Sequence, residues 1–557
     1  MHAIIRYFTA ILNNSFTTRS AGNFLASASG NTFSSPHLIV PYFLAFILLL
    51  SACSLSGGPD YSLEYDIHII NGTVIDGSGS EGLPADVLVR DGVIVYTGET
   101  DGGRINAAAV IDASGKIVTP GFIDLHSHGD PLETPGFGNF LAMGVTTITL
   151  GQDGSSPDTN YLGEWMDQVD QIGPGTNIVM FVGHNTVRRQ AVVPLSTSIS
   201  DRETERMQDR IIAAMEDGAF GLSTGLEYDP GRFAGRDELK AVAEPLARYG
   251  GIVMSHMRTE DDGNVEDALL ELITMGRDAG VPVHVSHIKI VLGNNPAAAT
   301  NLIQIMDVVR SEGVTITADV YPYTASFTGI SLLFPDWSKP PNVYDDVVRD
   351  RRADLANYLR NRVNNRNGPE ATLIGTGAWA GSTLAEVAEE LGKPFEDVLI
   401  DDIGLNGASA AYFVMNEDVM KRFIRAPHIA ISSDGSPTML HPRGYGSFAK
   451  IIRQSVREEG LLTLNEAIHK MSGLPADILG LHNMPEGLKR GYIREGYAAD
   501  ILVFDPAEVR DNARFEEPHR LASGFDTIIV NGTVVQSDGQ PTGVRTGRVL
   551  RKSANNP

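Results

Sequence analysis

Short apolar runs that end in a histidine or an aspartate recur along this chain. The first, Val118-Thr119-Pro120-Gly121-Phe122-Ile123-Asp124-Leu125-His126-Ser127-His128, closes on a His-x-His pair. Similar runs are Val145 to Asp153, Gly251 to His256, Val281 to His287 and His428 to Asp434. Such continuous apolar runs fit strands covered on both faces, as in a parallel sheet. In a strand, residues i and i+2 share a face, so His126 and His128 present two imidazoles side by side. Amphipathic helical patterns separate the runs, at Ser200 to Asp217, Val265 to Ala279 and Ala299 to Ser311. Strands alternating with helices, each strand ending in a polar side chain, predict a parallel (β/α)8 barrel with its chemistry at the C-terminal ends of the strands.

The two ends of the chain read differently. Tyr65 to Ile70, Gly72 to Ile75, Ala85 to Arg90 and Gly92 to Thr97 are short β-rich runs. They are broken by Asn71-Gly72 and Asp91-Gly92, both hairpin signals. The tetrapeptide Asn71-Gly72-Thr73-Val74 returns as Asn531-Gly532-Thr533-Val534, after β-rich runs at Asp500 to Phe504 and Thr527 to Val530. The expected fold class is therefore α/β, a TIM-type barrel over 119–484 with a small β-sandwich assembled from both termini, 64–118 and 485–550. One stretch, about 331–416, is rich in Pro, Arg, Asp and helix formers and reads as an insertion in a βα loop. It is either a lid over the active-site face or a peripheral helical elaboration.

Composition narrows the class. With 42% hydrophobic and 20% charged residues in 557, disorder is not the default. A formal net charge of -25 without a basic patch argues against a nucleic-acid partner. The single cysteine, Cys53, follows the apolar run Leu38 to Leu50 and lies in Leu50-Ser51-Ala52-Cys53, the layout of an export signal. That string resembles a bacterial lipobox, which implies cleavage before Cys53, lipid attachment to its sulfur and, with Ser54 following, an outer-membrane location facing the periplasm. Residues 1–53 are then a lipoprotein-type signal segment and 54–63 a tether. The alternative is a transmembrane anchor or an uncleaved apolar N-terminus. With no second cysteine, metal ligands must come from His and carboxylates.

Taken together, these motifs resemble the metal-dependent amidohydrolase superfamily, in its N-acyl-D-amino-acid deacylase branch. The marks are Pro120-Gly121-Phe122-Ile123-Asp124-Leu125-His126-Ser127-His128, Gly221-Leu222-Ser223-Thr224-Gly225-Leu226-Glu227-Tyr228, Ser255-His256-Met257-Arg258 and Ser286-His287-Ile288-Lys289. Tyr321-Pro322-Tyr323, Ser433-Asp434-Gly435 with His441-Pro442-Arg443, and Gly491 to Asp500 complete the set, and the resemblance spans roughly 64–535. It implies one divalent metal on His126, His128 and Asp434, another on His256 and His287, and a bridging or adjacent ligand from the strand ending at Asp153. The divalent metal expected for such a set is zinc, as one or two ions. Branch members usually carry a cysteine where this chain has Asp153, so a hard carboxylate replaces a soft thiolate and weakens the preference for zinc over Mn, Co or Fe. The resemblance further implies Asp434 as the proton shuttle, and Tyr228, Lys289, Tyr321 and Arg443 as substrate-binding residues. The expected substrate is a small N-acyl-D-amino acid or D-containing peptide, and the expected membrane contact is through the lipid anchor alone.

Rival expectations are a dipeptidase, a cyclic-amide hydrolase of the dihydroorotase or hydantoinase type, and a non-catalytic envelope binding protein. No lysine stands near the end of the strand closing on Asp153 to be the carboxylated ligand of many cyclic-amide hydrolases, and a binding module has no need of the full His and Asp set.

Overall fold

The computed structural model describes residues 58–293 and 295–553. The expected signal segment and Cys53 lie outside them. All the strands and helices belong to one unit, Tyr61–Pro557. No helix among the described residues is long and apolar enough to cross a membrane.

The centre of this unit is a set of parallel strands: β1 (Phe122–Asp124), β2 (Val145–Leu150), β3 (Asn177–Met180, resumed as Val182–Gly183), β4 (Gly221–Gly225), β5 (Ile252–His256), β6 (Val283–Val285), β7 (Ile316–Val320) and β8 (Ile429–Ile431). Every residue of the eight is buried, which is why the sequence shows unbroken apolar runs. Their hydrogen bonding forms two parallel ladders, one over β1 to β3 and one from Val182–Gly183 through β4, β5, β6 and β7 to β8. Beyond the strand ends, a parallel bridge between Ser127 and Gly435 joins the loops that follow β1 and β8. The other seam has a visible cause. The C-terminal segment Val549–Leu550 pairs with Ile178 and Val179 of β3, and Lys552 donates its N–H to Gly218 O at 2.9 Å, just ahead of β4. Those two residues thus join the barrel, although 485–550 reads as sandwich in the sequence.

Helices flank the strands as the periodicity predicts. Asp201–Glu216 opens on a capping box, Ser200 accepting from Glu203 N while the Glu203 carboxylate accepts from Ser200 N. Val265–Ala279 stops at Gly280, whose φ of 68° ends the helix in the left-handed region. Pro296–Ser311 begins with a proline, where its missing N–H costs nothing.

The outer β domain is a nine-stranded sheet drawn from both ends of the chain. Ile117–Pro120, which runs into the barrel, pairs antiparallel with Ile501–Phe504, so the two termini meet there. The Asp91-Gly92 and Asn531-Gly532 turns each connect antiparallel neighbours. Asn71-Gly72 does not form a hairpin. Glu64–Val74 is one strand, and its register against Leu83–Arg90 shifts between Ile69 and Gly72, with Asn71 at φ 61°. The dipeptide makes a bulge instead, and a Cβ on Gly72 would stand 2.6 Å from Val118 Cγ2, so the close approach of a neighbouring strand also favours glycine.

Ile67, Val118, Ile123, Phe181, Met254, Ile501 and Val503 share one apolar core, which runs from the sheet into the base of the barrel. A buried polar network pins the same junction. Asp500 accepts from Arg490 Nε at 2.8 Å, Asn177 Nδ2 at 2.9 Å and Asn531 N at 2.7 Å. The segment between β7 and β8 carries a separate core, including Leu355, Leu359, Leu399 and Tyr412, around a small sheet of Ser326–Gly329, Ser409–Tyr412 and Thr372–Ile374.

Candidate metal centre

The strand ends converge. His256 is the last residue of β5, and His126, His128, Asp153, His287 and Asp434 lie within a few residues beyond β1, β2, β6 and β8. Three of these six have left-handed backbones, Asp153 at φ 52°, His287 at 37° and Asp434 at 49°. Non-glycine residues adopt that region at a cost, and such strain concentrates where function demands a particular direction of the side chain. Here the turn re-aims each side chain from the strand end to the barrel axis.

Asp153 is the hub. Its Oδ1 lies 3.4 Å from His126 Nε2, 3.3 Å from His287 Nε2 and 3.7 Å from His256 Nδ1, and its Oδ2 lies 3.4 Å from His128 Nε2. Asp434 Oδ1 is 3.3 Å from His128 Nε2 and 3.8 Å from His126 Nε2. His256 Nδ1 and His287 Nε2 are 3.0 Å apart. The donors fall into two overlapping groups, His126, His128, Asp153 and Asp434, and Asp153, His256 and His287; within each, the ligand atoms all lie within 4.8 Å of one another.

This donor set fits divalent ions. Neither ring nitrogen of His126, a fully buried residue, has a hydrogen-bond partner, and an unpaired buried imidazole is costly unless something else binds it. Imidazole and carboxylate are ligands of zinc and its neighbours. The field also favours positive charge at the centre. Burial would lower the pKa of His128, but the carboxylates of Asp153 and Asp434 outweigh it and push the group up to about 9. Burial and Lys289 likewise oppose a charge on His287, yet Asp434 and Asp153 carry it up to about 10. Burial disfavours charge on Asp153, and the imidazoles of His126 and His287 nonetheless hold it well below the usual carboxylate range.

Two carboxylates beneath the centre hold its loops. Asp124 accepts from His126 N at 3.1 Å and Ser433 N at 3.0 Å, and from the Ser433 hydroxyl, tying the end of β1 to the end of β8. Asp319 accepts from His287 N at 3.0 Å and pairs with His284 Nε2 at 2.7 Å. Sequence spacing reveals neither role, because Asp124 reaches Ser433, and Asp319 reaches His284 and His287, only once the strands are assembled.

Above the centre opens a cavity of about 360 Å³. Tyr228, Lys289, Tyr321 and Arg443 all line it, with His128, Asp153, His256, His287 and Asp434. Arg443 Nη1 is 2.9 Å from Asp434 Oδ2. Lys289 Nζ is 2.6 Å from Glu260 Oε1 and 2.7 Å from His287 Nδ1. The Tyr321 ring lies beneath both cations, 4.8 Å from the Arg443 guanidinium carbon and 5.6 Å from Lys289 Nζ. Tyr228 packs on His256 with ring centroids 4.6 Å apart, and its hydroxyl accepts from Thr328 at 3.4 Å. Sequence reasoning missed Glu227, Glu260 and Arg366 in this wall. The stretch 331–416 supplies Leu332 and Arg366 to it, so part of that stretch borders the cavity.

A parallel α/β barrel with four imidazoles and two carboxylates gathered at its strand ends defines a metal-type hydrolase scaffold. Comparison with known proteins identifies the group. The amidohydrolase family model matches residues 109–329 and 343–536, and the chain belongs to that family. D-aminoacylase of Alcaligenes xylosoxydans xylosoxydans is 31% identical over 88% of this chain and 99% of its own. The crystal structure of N-acyl-D-glutamate deacylase from Bordetella bronchiseptica, in complex with zinc and a phosphonate mimic of the tetrahedral intermediate, matches with a TM-score of 0.75 at 32% identity, covering 88% of this chain and 100% of that one. A D-aminoacylase structure described for its binuclear metal centre has a TM-score of 0.75 at 31% identity, over 87% of this chain and 100% of its own.

Proposed function

We propose that this protein is a metal-dependent hydrolase that cleaves the amide bond of N-acyl-D-amino acids. The observation that carries the reading is Asp153, a carboxylate within 3.7 Å of all four imidazoles at the floor of a cavity that also holds Asp434, Lys289 and Arg443. The activities named for the deacylase relatives support the substrate class.

In this reading His126, His128 and Asp434 would hold one zinc or similar divalent ion and His256 and His287 another, with Asp153 a member of both donor groups. When bound, the metal supplies Lewis acidity and activates water for attack at neutral pH. Asp434 moves the proton. Its Oδ1 faces the centre, where it takes a proton from the attacking water and delivers it to the departing amine nitrogen, while its Oδ2 stays anchored to Arg443. Arg443 offers a guanidinium fork and Lys289 an ammonium for a substrate carboxylate on this wall, with Tyr321 packed beneath both and Tyr228 lining the same cavity.

The test is a panel of N-acetyl-D- and N-acetyl-L-amino acids, D-containing dipeptides and cyclic amides such as hydantoins, assayed for released amine. D-configured acyl amino acids should turn over and cyclic amides should not. Turnover confined to cyclic amides would overturn the substrate class.

We further infer an exported, lipid-anchored protein of the bacterial envelope, held at the outer membrane on the periplasmic side. Leu50-Ser51-Ala52-Cys53 after an apolar run supports it. Cys53→Ala should release active enzyme from the membrane fraction, and membrane association that survives the substitution after signal cleavage would contradict lipid attachment.

A further inference from the structure

Glu227 stands outside the six residues of the centre yet reaches one of them. Leu226 N donates to His256 O at 3.1 Å, which pins the chain leaving β4 against the last residue of β5. The next side chain along, Glu227, arrives with Oε2 at 3.0 Å from His256 Nε2. The other nitrogen of that ring, Nδ1, is the one that faces Asp153 and His287. His256 is therefore an imidazole between two acidic groups, one at each nitrogen, and it is almost fully buried.

The charge pairing along the cavity wall sets Glu227 apart. Asp229 pairs with Arg232, Asp261 with Arg362 and Arg366, and Glu260 with Lys289 as well as with His287 Nδ1 at 3.2 Å. The ion pair that the structure gives Glu227 is with His256. A ring nitrogen that ligates a cation must present a lone pair, so the proton of the neutral ring has to sit on the other nitrogen. A carboxylate at Nε2 accepts that proton's hydrogen bond, selects the tautomer with Nδ1 free, and raises the basicity of Nδ1.

We propose that Glu227 is a positioning residue for the metal centre: it accepts the Nε2–H of His256 and so fixes both the tautomer and the ring orientation in which Nδ1 ligates. This rests on reading the centre as a metal site. Sequence position alone does not reveal the role, because Glu227 meets His256 only through the pairing of β4 with β5.

The experiment measures zinc affinity of the metal-stripped full chain by competition with a chromophoric chelator, for wild type, Glu227→Gln and Glu227→Leu. Glu227→Leu should bind zinc roughly 10–100-fold more weakly, the range for loss of an outer partner of a ligating histidine. Glu227→Gln, whose amide oxygen still accepts a hydrogen bond, should recover part of the loss. The melting temperature of the metal-free protein should be nearly the same for all three. Unchanged zinc affinity in Glu227→Leu, with only KM altered, would overturn the proposal and make Glu227 a lining residue. Loss of a whole equivalent of zinc with the remainder bound as tightly as in wild type would also overturn it, since Glu227 would then be a ligand together with His256 and Glu260. A wild-type protein that binds no zinc would instead defeat the functional reading on which the proposal rests.

Discussion

Arg443 Nη1 and Asp434 Oδ2 lie 2.9 Å apart, both nearly buried, at the mouth of the last barrel strand. Burial disfavours charge on Asp434, but Arg443 and His287 outweigh it and hold the carboxyl far below its usual range. The pair thus keeps Asp434 ionised, with one oxygen occupied and the other turned to the centre.

Asp434→Asn keeps the shape and removes the proton acceptor. Turnover should fall at least roughly a hundredfold, the low end for loss of a general acid or base, while metal at His256 and His287 is retained. Steady-state kinetics together with elemental analysis checks both halves; a near wild-type rate would place the proton shuttle elsewhere.

Arg443→Lys keeps the charge and removes the planar fork. For N-acyl amino acids, kcat/KM should drop by about tenfold to several hundredfold, on the order of 1.5–3 kcal/mol for a charge-assisted pair. Substrates whose α-carboxylate is replaced by an amide should start poor and lose little more. An equal penalty on acid and amide would show that Arg443 serves Asp434 and does not touch the substrate.

Asp153→Ala removes the group common to both donor sets. Zinc affinity, read by chelator competition, should fall by more than the roughly 10–100-fold typical of an outer partner. Affinity within a fewfold of wild type would mean that the imidazoles and Asp434 suffice.

Gly151→Ala tests the turn that aims Asp153. Gly151 has φ 84°, and a Cβ there would meet Phe181 O at 2.0 Å, a backbone atom that cannot swing aside. The substitution should cost about 1–3 kcal/mol from overpacking, with about 1–2 kcal/mol more from the left-handed backbone, and lower the melting temperature accordingly. An unchanged melting temperature would show that the loop relaxes freely.

How much of this was legible in the sequence depended on whether a residue's place follows from local spacing. His126, His128, His256, His287, Asp153 and Asp434 each end a buried apolar run, so the strand ends could be read directly. The helix start at Ser200 carried a local signal too, whereas the helix expected from Ala299 begins at Pro296. Asn71-Gly72 misled because its dihedral preference suits a bulge as well as a turn, and the neighbouring strand decides between them. Val549–Leu550 is too short to show periodicity, and its partner Ile178 lies far away in the chain. The roles of Glu227, Glu260, Asp124 and Asp319 stayed hidden for the same reason, since each meets a residue that only the folded barrel brings near, Asp124 through Ser433.

The most direct test of the central claim combines metal content with turnover on one preparation. The protein is stripped with a chelator, assayed for amine release from N-acetyl-D-amino acids and their L-enantiomers, then reconstituted with zinc and assayed again. The metal-free protein should be inactive, zinc should restore activity toward the D-substrates as it binds, and the L-enantiomers should remain poor. Full activity in the stripped protein, or reconstituted protein that holds zinc yet cleaves no acyl amino acid, would contradict the assignment.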